Sequence, residues 1–469
     1  MAWWTFPAVL QSLDNIILGE HVFKRGTILA SSEYPHDFAK NLAHKHREFI
    51  IHAFDPLNVE EPFVVVRGSG ATLTDTTGKK YIDFWAGNSV QICGHNHPKI
   101  VAALKTQADK LIHYTYELYT IPQVELAEKL AKINPFGMTK SLFFNGGTEA
   151  IECAYHLARK KSGRDWMVAL YGGFHGRTYG SATLTSNAKY KRKMGPYLPG
   201  VTHIPSYYCY RCFLGLEYPS CGLRCAKLLE DAIRWDTDGE VAAYIAEPAL
   251  GSGGNIFPPD QYFLEIKKIL DEHGILFVAD EIITGLGRTG KLFAMEHYGV
   301  KPDMLTLSKT LGGGLPIAAL MARENVADAF APFDYYSTFG GNPISTATSL
   351  AVLDVIFGER LVERSEKVGQ YLLKALKELQ DKHELIGEVQ GKGLLVGVEL
   401  VKDRRNKDPA TEQARKLRNE ALKRGLILAA DKGMLGNRIR INPPLTILEE
   451  EVDRAVQIIH DSLKAITRR

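Results

Sequence analysis

The apolar positions of this chain change period along its length, and the changes mark out its elements. Residues 1–60 read as helical pieces and loops that fit no sheet. PFVVVRGSGATLTDTTGKKYIDFW (62–85) alternates apolar and polar residues around turn pairs such as Thr77-Gly78, which predicts antiparallel strands. Two amphipathic helical periods fill 98–133. From about 140 to 325, short apolar runs (KSLFF, MVAL, VAAYIA, ILFVA, MLTL) give way to turn residues and alternate with helical stretches such as EAIECAYHLARKK. That alternation predicts the buried strands of a doubly wound, mainly parallel sheet. Beyond about 345 come a long helix, strands in GEVQGKGLLVGVELV and NRIRINPPLTI, and a final helix, the pattern of a smaller α+β domain. The expected division is 1–97 as an N-terminal segment with part of the small domain, 98–345 as the large domain with a cysteine-rich insertion at 205–226, and 346–469 as the C-terminal small domain.

Composition narrows the class without naming it. With 469 residues the chain has room for two or three domains, and its 45% apolar and 24% charged content is that of an ordinary globular protein. A net charge of +3, with basic residues spread among acidic ones, makes no case for nucleic acid or an anionic membrane as partner. No apolar run is long enough to span a bilayer. The opening MAWWTFPAVLQSLDNIILGE lacks a basic region and a small-residue cleavage site, so a cytoplasmic location is expected; the stretch could also form an amphipathic helix over a neighbouring subunit.

The candidate chemistry gathers at strand ends, where open α/β sheets bind their ligands. Asp280 ends ILFVAD and Lys309 follows MLTLS. A buried amine and a buried acid at one sheet edge suit pyridoxal phosphate, the lysine as Schiff-base partner and the acid beside the ring nitrogen; an ordinary Asp–Lys salt bridge would also account for them. Asn145-Gly146-Gly147-Thr148, where a strand becomes a helix, is an anion site or a simple cap. In GGFHGRT, Phe174 is a plate for a planar ring or a core residue, and Arg177 a carboxylate grip or a surface charge. Glu247 ends another strand, Thr338 lies in a second Gly-Gly turn, and Arg440 alternates with isoleucines on a strand that could simply face solvent. His95 and His97 read as turn or cap residues rather than ligands. Cys93 and Cys153 read as buried apolar residues, whereas Cys209-x-x-Cys212 and Cys221-x-x-x-Cys225 point to a structural zinc, or else to disulfides or free thiols.

Taken together, DFWAG, GHNHP, NGGTEA, GGFHGRT, AEP, ADEIITGLGRTG, LSKTLGGGLP, TFGGNP and RINPPLT resemble the class III (ornithine/4-aminobutyrate type) aminotransferases over about residues 61–465. The resemblance implies the fold type I (aspartate aminotransferase-like) architecture and pyridoxal 5'-phosphate as cofactor. It makes Lys309 the Schiff-base lysine and Cα base, with Asp280 at the ring nitrogen and Phe174 and Ile282 on the two ring faces. His175 joins the cofactor set, and Gly147 and Thr148 bind the phosphate with Thr338 of the partner subunit, hence a homodimer or higher oligomer. Arg440 becomes the α-carboxylate arginine, Glu247 its alternate partner and Arg177 the distal-carboxylate grip; Asn88, Trp85 and Ser252 complete the substrate set. The implied reaction is transfer of an amino group from an amino acid, 4-aminobutyrate among the candidates, to 2-oxoglutarate or pyruvate. Dialkylglycine decarboxylation and amino-acid racemisation are the alternatives on the same scaffold. Two positions depart from the family pattern: Ile283 stands where glutamine is frequent, and Asn88 lies in GNSV rather than GIAV.

Overall fold

The computed structural model describes residues 34–35, 37–53 and 62–467. The N-terminal stretch expected as an amphipathic helix lies outside them. Two compact units result: residues 1–67 with 74–80, and residues 68–73 with 81–469. In the first, the helix Phe38–Phe49 buries none of its residues. Asp75 there closes a turn by accepting from the Thr77 and Lys79 amides at 2.9 and 3.0 Å.

The second unit is built on a seven-stranded sheet. Its strands in chain order are β1 (Lys140–Phe144), β2 (Trp166–Leu170), β3 (Val201–Ile204), β4 (Val241–Ala246), β5 (Leu276–Asp280), β6 (Met304–Leu307) and β7 (Ala318–Ala322). They lie in the order β1-β7-β6-β5-β4-β2-β3. Only β7 is antiparallel to its neighbours, so β1 runs in the same direction as β2 to β6. Six strands therefore deliver their C-terminal ends to one edge. The short apolar runs are explained by burial on both faces. Met167 and Ala169 of β2, Val278 of β5 and Leu320 of β7 pack with Ile151, Ala154 and Leu157 of the helix Gly147–Ser162. The alternate residues Val168, Leu170, Phe277, Ala279 and Met321 pack on the other face with Phe263 and Ile266 of the helix Tyr262–His273.

The C-terminal part forms a four-stranded antiparallel sheet, with Ile386–Lys392, Leu395–Leu400, Arg438–Ile441 and Ala429–Lys432 in that order. The long helices Leu361–Lys382, Thr411–Lys423 and Glu449–Thr467 belong to this part. The alternative of a solvent-facing strand around Arg440 does not hold. All four residues of Arg438–Ile441 are buried, both arginines included.

No helix among the described residues is long and apolar enough to cross a membrane.

Candidate active site

The acid and the amine that the sequence singles out do reach one sheet edge, but not as an ion pair. Asp280, at the end of β5, is 3% exposed, and its Oδ2 lies 2.7 Å from His175 Nδ1. Its Oδ1 accepts from the Ile282 amide at 3.1 Å and from Thr306 Oγ1 at 3.3 Å. A carboxylate with three fixed neighbours keeps one orientation. His175 was legible as a motif residue, yet nothing in the sequence joined it to Asp280, 105 positions away. Its Nε2 is buried without a hydrogen-bond partner.

Lys309 makes no ion pair with Asp280. Burial, and then the positive field of Arg440, bring its amine down to about 8, while Asp280 and Glu247 act in the opposite sense. An amine brought down this far gives up its proton near neutral pH more readily than an ordinary lysine does, as a nucleophile or base must. Glu247, just past β4, is pushed up to about 7, chiefly by burial, although the Phe174 and Gly251 amides donate to its two oxygens at 3.0 and 2.9 Å.

The turn after β1 leads into the helix Gly147–Ser162. Glu149 Oε2 caps it by accepting from the Asn145 and Gly146 amides at 2.7 and 3.0 Å. A Cβ on Gly147 would lie 2.7 Å from Ile282 Cδ1, so a larger residue at this helix start would push the Ile282 side chain aside. Thr148 Oγ1 lies 2.7 Å from Thr178 Oγ1 and 2.6 Å from Ser181 Oγ, and the Arg177 and Thr178 amides approach it at 3.3 Å. A helix N-terminus, three hydroxyls and two loop amides make a cradle for a tetrahedral anion. Thr178 and Ser181 were missed from sequence, since hydroxyls on a loop carry no distinguishing pattern.

The remaining expected residues divide. Phe174 is half-buried and meets Tyr190 edge-on at 4.9 Å, while Arg177, exposed, lies 4.8 Å above the Tyr190 ring. Ile282 is buried. Ile283 is committed to an apolar cluster with Ala249 and Leu395, so it offers no polar contact. Trp85 lies beneath Lys432, with its indole N–H buried and unpartnered. Ser252 is half-buried on the turn after β4, and Thr338 is exposed in a segment shared with exposed Phe333, Tyr336 and Phe339. Arg440 is 4% exposed; its Nε donates to Asn255 Oδ1 at 3.3 Å and its Nη1 to Asn88 Oδ1 at 3.4 Å. Asn255 was not anticipated.

The zinc expectation is corrected. Cys209, Cys212, Cys221 and Cys225 do line one small cavity with Tyr207, Leu214 and Leu216, but all are free thiols. No group of three or more His, Cys, Asp or Glu among the described residues is arranged to hold a metal. Burial, and then the neighbouring cysteines, raise Cys209 to about 11 and Cys225 to about 12. The insertion is held by charge instead: Tyr208 and Arg211 both reach Glu399, which also accepts from Arg438 at 2.6 Å. His95 and His97 face two different carboxylates, Asp83 at 2.8 Å and Glu359 at 3.2 Å respectively.

Comparison with known proteins follows the same lines. The family model for class-III aminotransferases matches residues 55–463. A leucine/methionine racemase of Thermococcus litoralis is 42% identical over 398 residues, 84% of this chain and 89% of that protein. An acetylornithine aminotransferase of Methanopyrus kandleri is 39% identical, over 86% of this chain and 95% of that protein. Among solved structures, an amine transaminase from an uncultivated Pseudomonas species in its PLP-bound form superposes with a TM-score of 0.83 at 30% identity, covering 88% of this chain and 99% of that one.

Proposed function

This chain belongs to the class-III aminotransferases, pyridoxal-phosphate-dependent enzymes of fold type I, and we propose that it moves the amino group of a carboxylate-bearing amino acid to a 2-oxo acid at the edge formed by Lys309, Asp280 and Arg440. The observation that carries this reading is the state of Lys309. It is an amine brought down to about 8, without an ion pair, beside an acid already fixed by another partner.

The residues present fit the cofactor. Gly147 and the hydroxyls of Thr148, Thr178 and Ser181 are placed for its phosphate. Asp280, oriented by His175, is placed for the ring nitrogen, with Phe174 and Ile282 for the ring faces. When bound, the cofactor supplies an electron sink for negative charge developing at the substrate Cα. Lys309 would hold the cofactor and would serve as the base that takes the Cα proton and returns it. Arg440 grips the substrate carboxylate and so fixes which Cα bond faces Lys309.

A homodimer is part of the proposal. Ile112, Leu118, Tyr119, Ile121, Phe333 and Phe339 are exposed apolar residues, and His113 meets Phe339 at 5.1 Å, which makes the two segments one surface. In such a dimer Thr338 would complete the phosphate cradle of the partner subunit. Six free thiols suit a reducing, cytosolic setting.

Racemisation is the second reading. It is favoured by Glu247, a buried acid near 7 whose field reaches Lys309, and so a second group able to hold a proton at this edge. One assay separates the readings. The holoenzyme is incubated with a panel of amino acids plus 2-oxoglutarate or pyruvate, while new amino acid, carbon dioxide and loss of optical purity are followed together. New amino acid formed only with acceptor present supports transamination. Loss of optical purity without acceptor replaces it by racemisation, and carbon dioxide replaces it by decarboxylation. Lys309→Ala retaining wild-type turnover would sink both of the first two.

A further inference from the structure

A buried guanidinium is ordinarily balanced by a carboxylate, because an unpaired buried charge is costly. Around Arg440 the hydrogen-bond partners are neutral amides. Asn255 and Asn88 accept from Nε and Nη1, at 3.3 and 3.4 Å. Asn442, with its amide oxygen turned toward the guanidinium, accepts from Nη2 at 3.2 Å and from Ser89 Oγ at 2.6 Å; turned the other way, it accepts from Asn255 Nδ2 at 2.6 Å. Glu247 is near enough for its field to act on Arg440 but accepts no hydrogen bond from it; its two oxygens accept from the Phe174 and Gly251 amides.

The backbone that presents these amides is itself unusual. Ala86, Gly87, Asn88 and Ser89 all have positive φ, at 48°, 56°, 66° and 69°, and Asn255 has φ 56°. Left-handed backbone is unfavourable for an L-residue. Here it is held in place by Asp83, whose Oδ1 accepts from the Trp85 and Ala86 amides at 2.8 and 2.9 Å and whose Oδ2 meets His95. Strain that a surrounding network maintains is a mark of a functional position. Asn255 is fixed separately, by donating to the Val396 carbonyl at 2.8 Å.

We propose that Asn88, Asn255 and Asn442 are positioning residues that orient Arg440 while leaving its charge uncancelled, so that the substrate carboxylate meets a guanidinium already aimed and still cationic. This rests on the reading of Arg440 as the carboxylate-binding group. Neutral acceptors are what such a role needs: an aspartate in their place would orient the arginine equally well and compete with the substrate.

The test is isosteric. Asn88→Asp and Asn88→Ala holoenzymes are compared with wild type for KM and kcat on an amino-acid donor, with Asn255→Asp as a second position and Arg440→Ala as the control. Asn88 is exposed, so its variants are expected to fold. Asn88→Asp should raise KM about tenfold, well above the effect of Asn88→Ala, with kcat within about threefold of wild type. The two Asn88 variants behaving alike, or a fall in kcat at unchanged KM, would overturn the proposal. If Arg440→Ala itself leaves KM unchanged, the carboxylate role of Arg440 fails instead. If it raises KM while Asn88→Asp does not, only the positioning role fails.

Discussion

Arg438 and Arg440 stand two residues apart on one strand, share a face, and are 1% and 4% exposed, yet they have opposite surroundings. Across the sheet Arg438 is paired with Glu399, whereas Arg440 is paired with Gly397, which has no side chain to offer. Arg438 donates to Glu399 at 2.6 Å and to Glu388 at 3.0 Å, and these anions raise its pKa above the ordinary arginine range against the effect of burial. Arg440 has only amides as hydrogen-bond partners, and burial lowers it to about 10 against the opposing field of Glu247. One guanidinium is spent on the fold, and the other is the one we propose is kept for a ligand. A buried cation is therefore read as structural or functional from what stands opposite it, not from how deeply it lies.

Four experiments bear on that contrast. The largest effect is expected at the compensated arginine. Glu399→Ala leaves Arg438 and Arg211 without their shared anion and should cost about 3–5 kcal/mol in denaturant-induced unfolding. Arg440→Ala should invert the pattern: stability within about 1 kcal/mol of wild type, but KM for carboxylate-bearing donors up by about a hundredfold, near 2.7 kcal/mol of lost binding. Equal stability losses at the two positions would end the distinction.

The third experiment uses pH. Glu247 is raised from 4.5 to about 7, so between those values the folded protein binds more protons than the unfolded one and stability falls as pH rises. Below 4.5 the group contributes no slope, and above about 7 its penalty is complete. Glu247→Gln should remove that slope, so the difference between mutant and wild-type melting temperature should drift across the window and be flat on either side. The smallest effect is expected in the insertion that Glu399 anchors. A Cys209→Ser, Cys212→Ser double variant should shift stability by no more than about 1 kcal/mol, and treatment with a chelator should not shift it at all. A large loss with the chelator would restore metal as the anchor.

Much of this fold was legible because a strand buried on both faces has to be apolar throughout. The runs ending at Leu170, Ala246, Asp280 and Leu307 therefore announced both the strands and the edge at which they stop. Asp280 and Lys309 stood out because ionisable residues at the ends of such runs need a reason. What could not be read were relations between distant residues. The run RIRI gives no hint that one arginine faces a glutamate and the other a glycine, because that depends on register with a strand much earlier in the chain. The His175–Asp280 contact and the amide cluster at Arg440 depend on long-range closure in the same way. The four cysteines misled for a related reason. Spacing brings thiols near one another, but whether they are arranged to hold a metal depends on the fold around them, and among the described residues no such group forms.

The antiparallel strand β7 has a consequence for the order in which this enzyme can be made. β1 has no neighbour in the sheet other than β7, so the strand that ends at the phosphate cradle stays unpaired on the ribosome until Ala318–Ala322 has been synthesised. Lys309 is already part of the chain by then, and pairing of such distant segments is a slow event in folding. In the sheet, the turn after β1 is thus joined to the strands that lead to Asp280 and Lys309 only through β7.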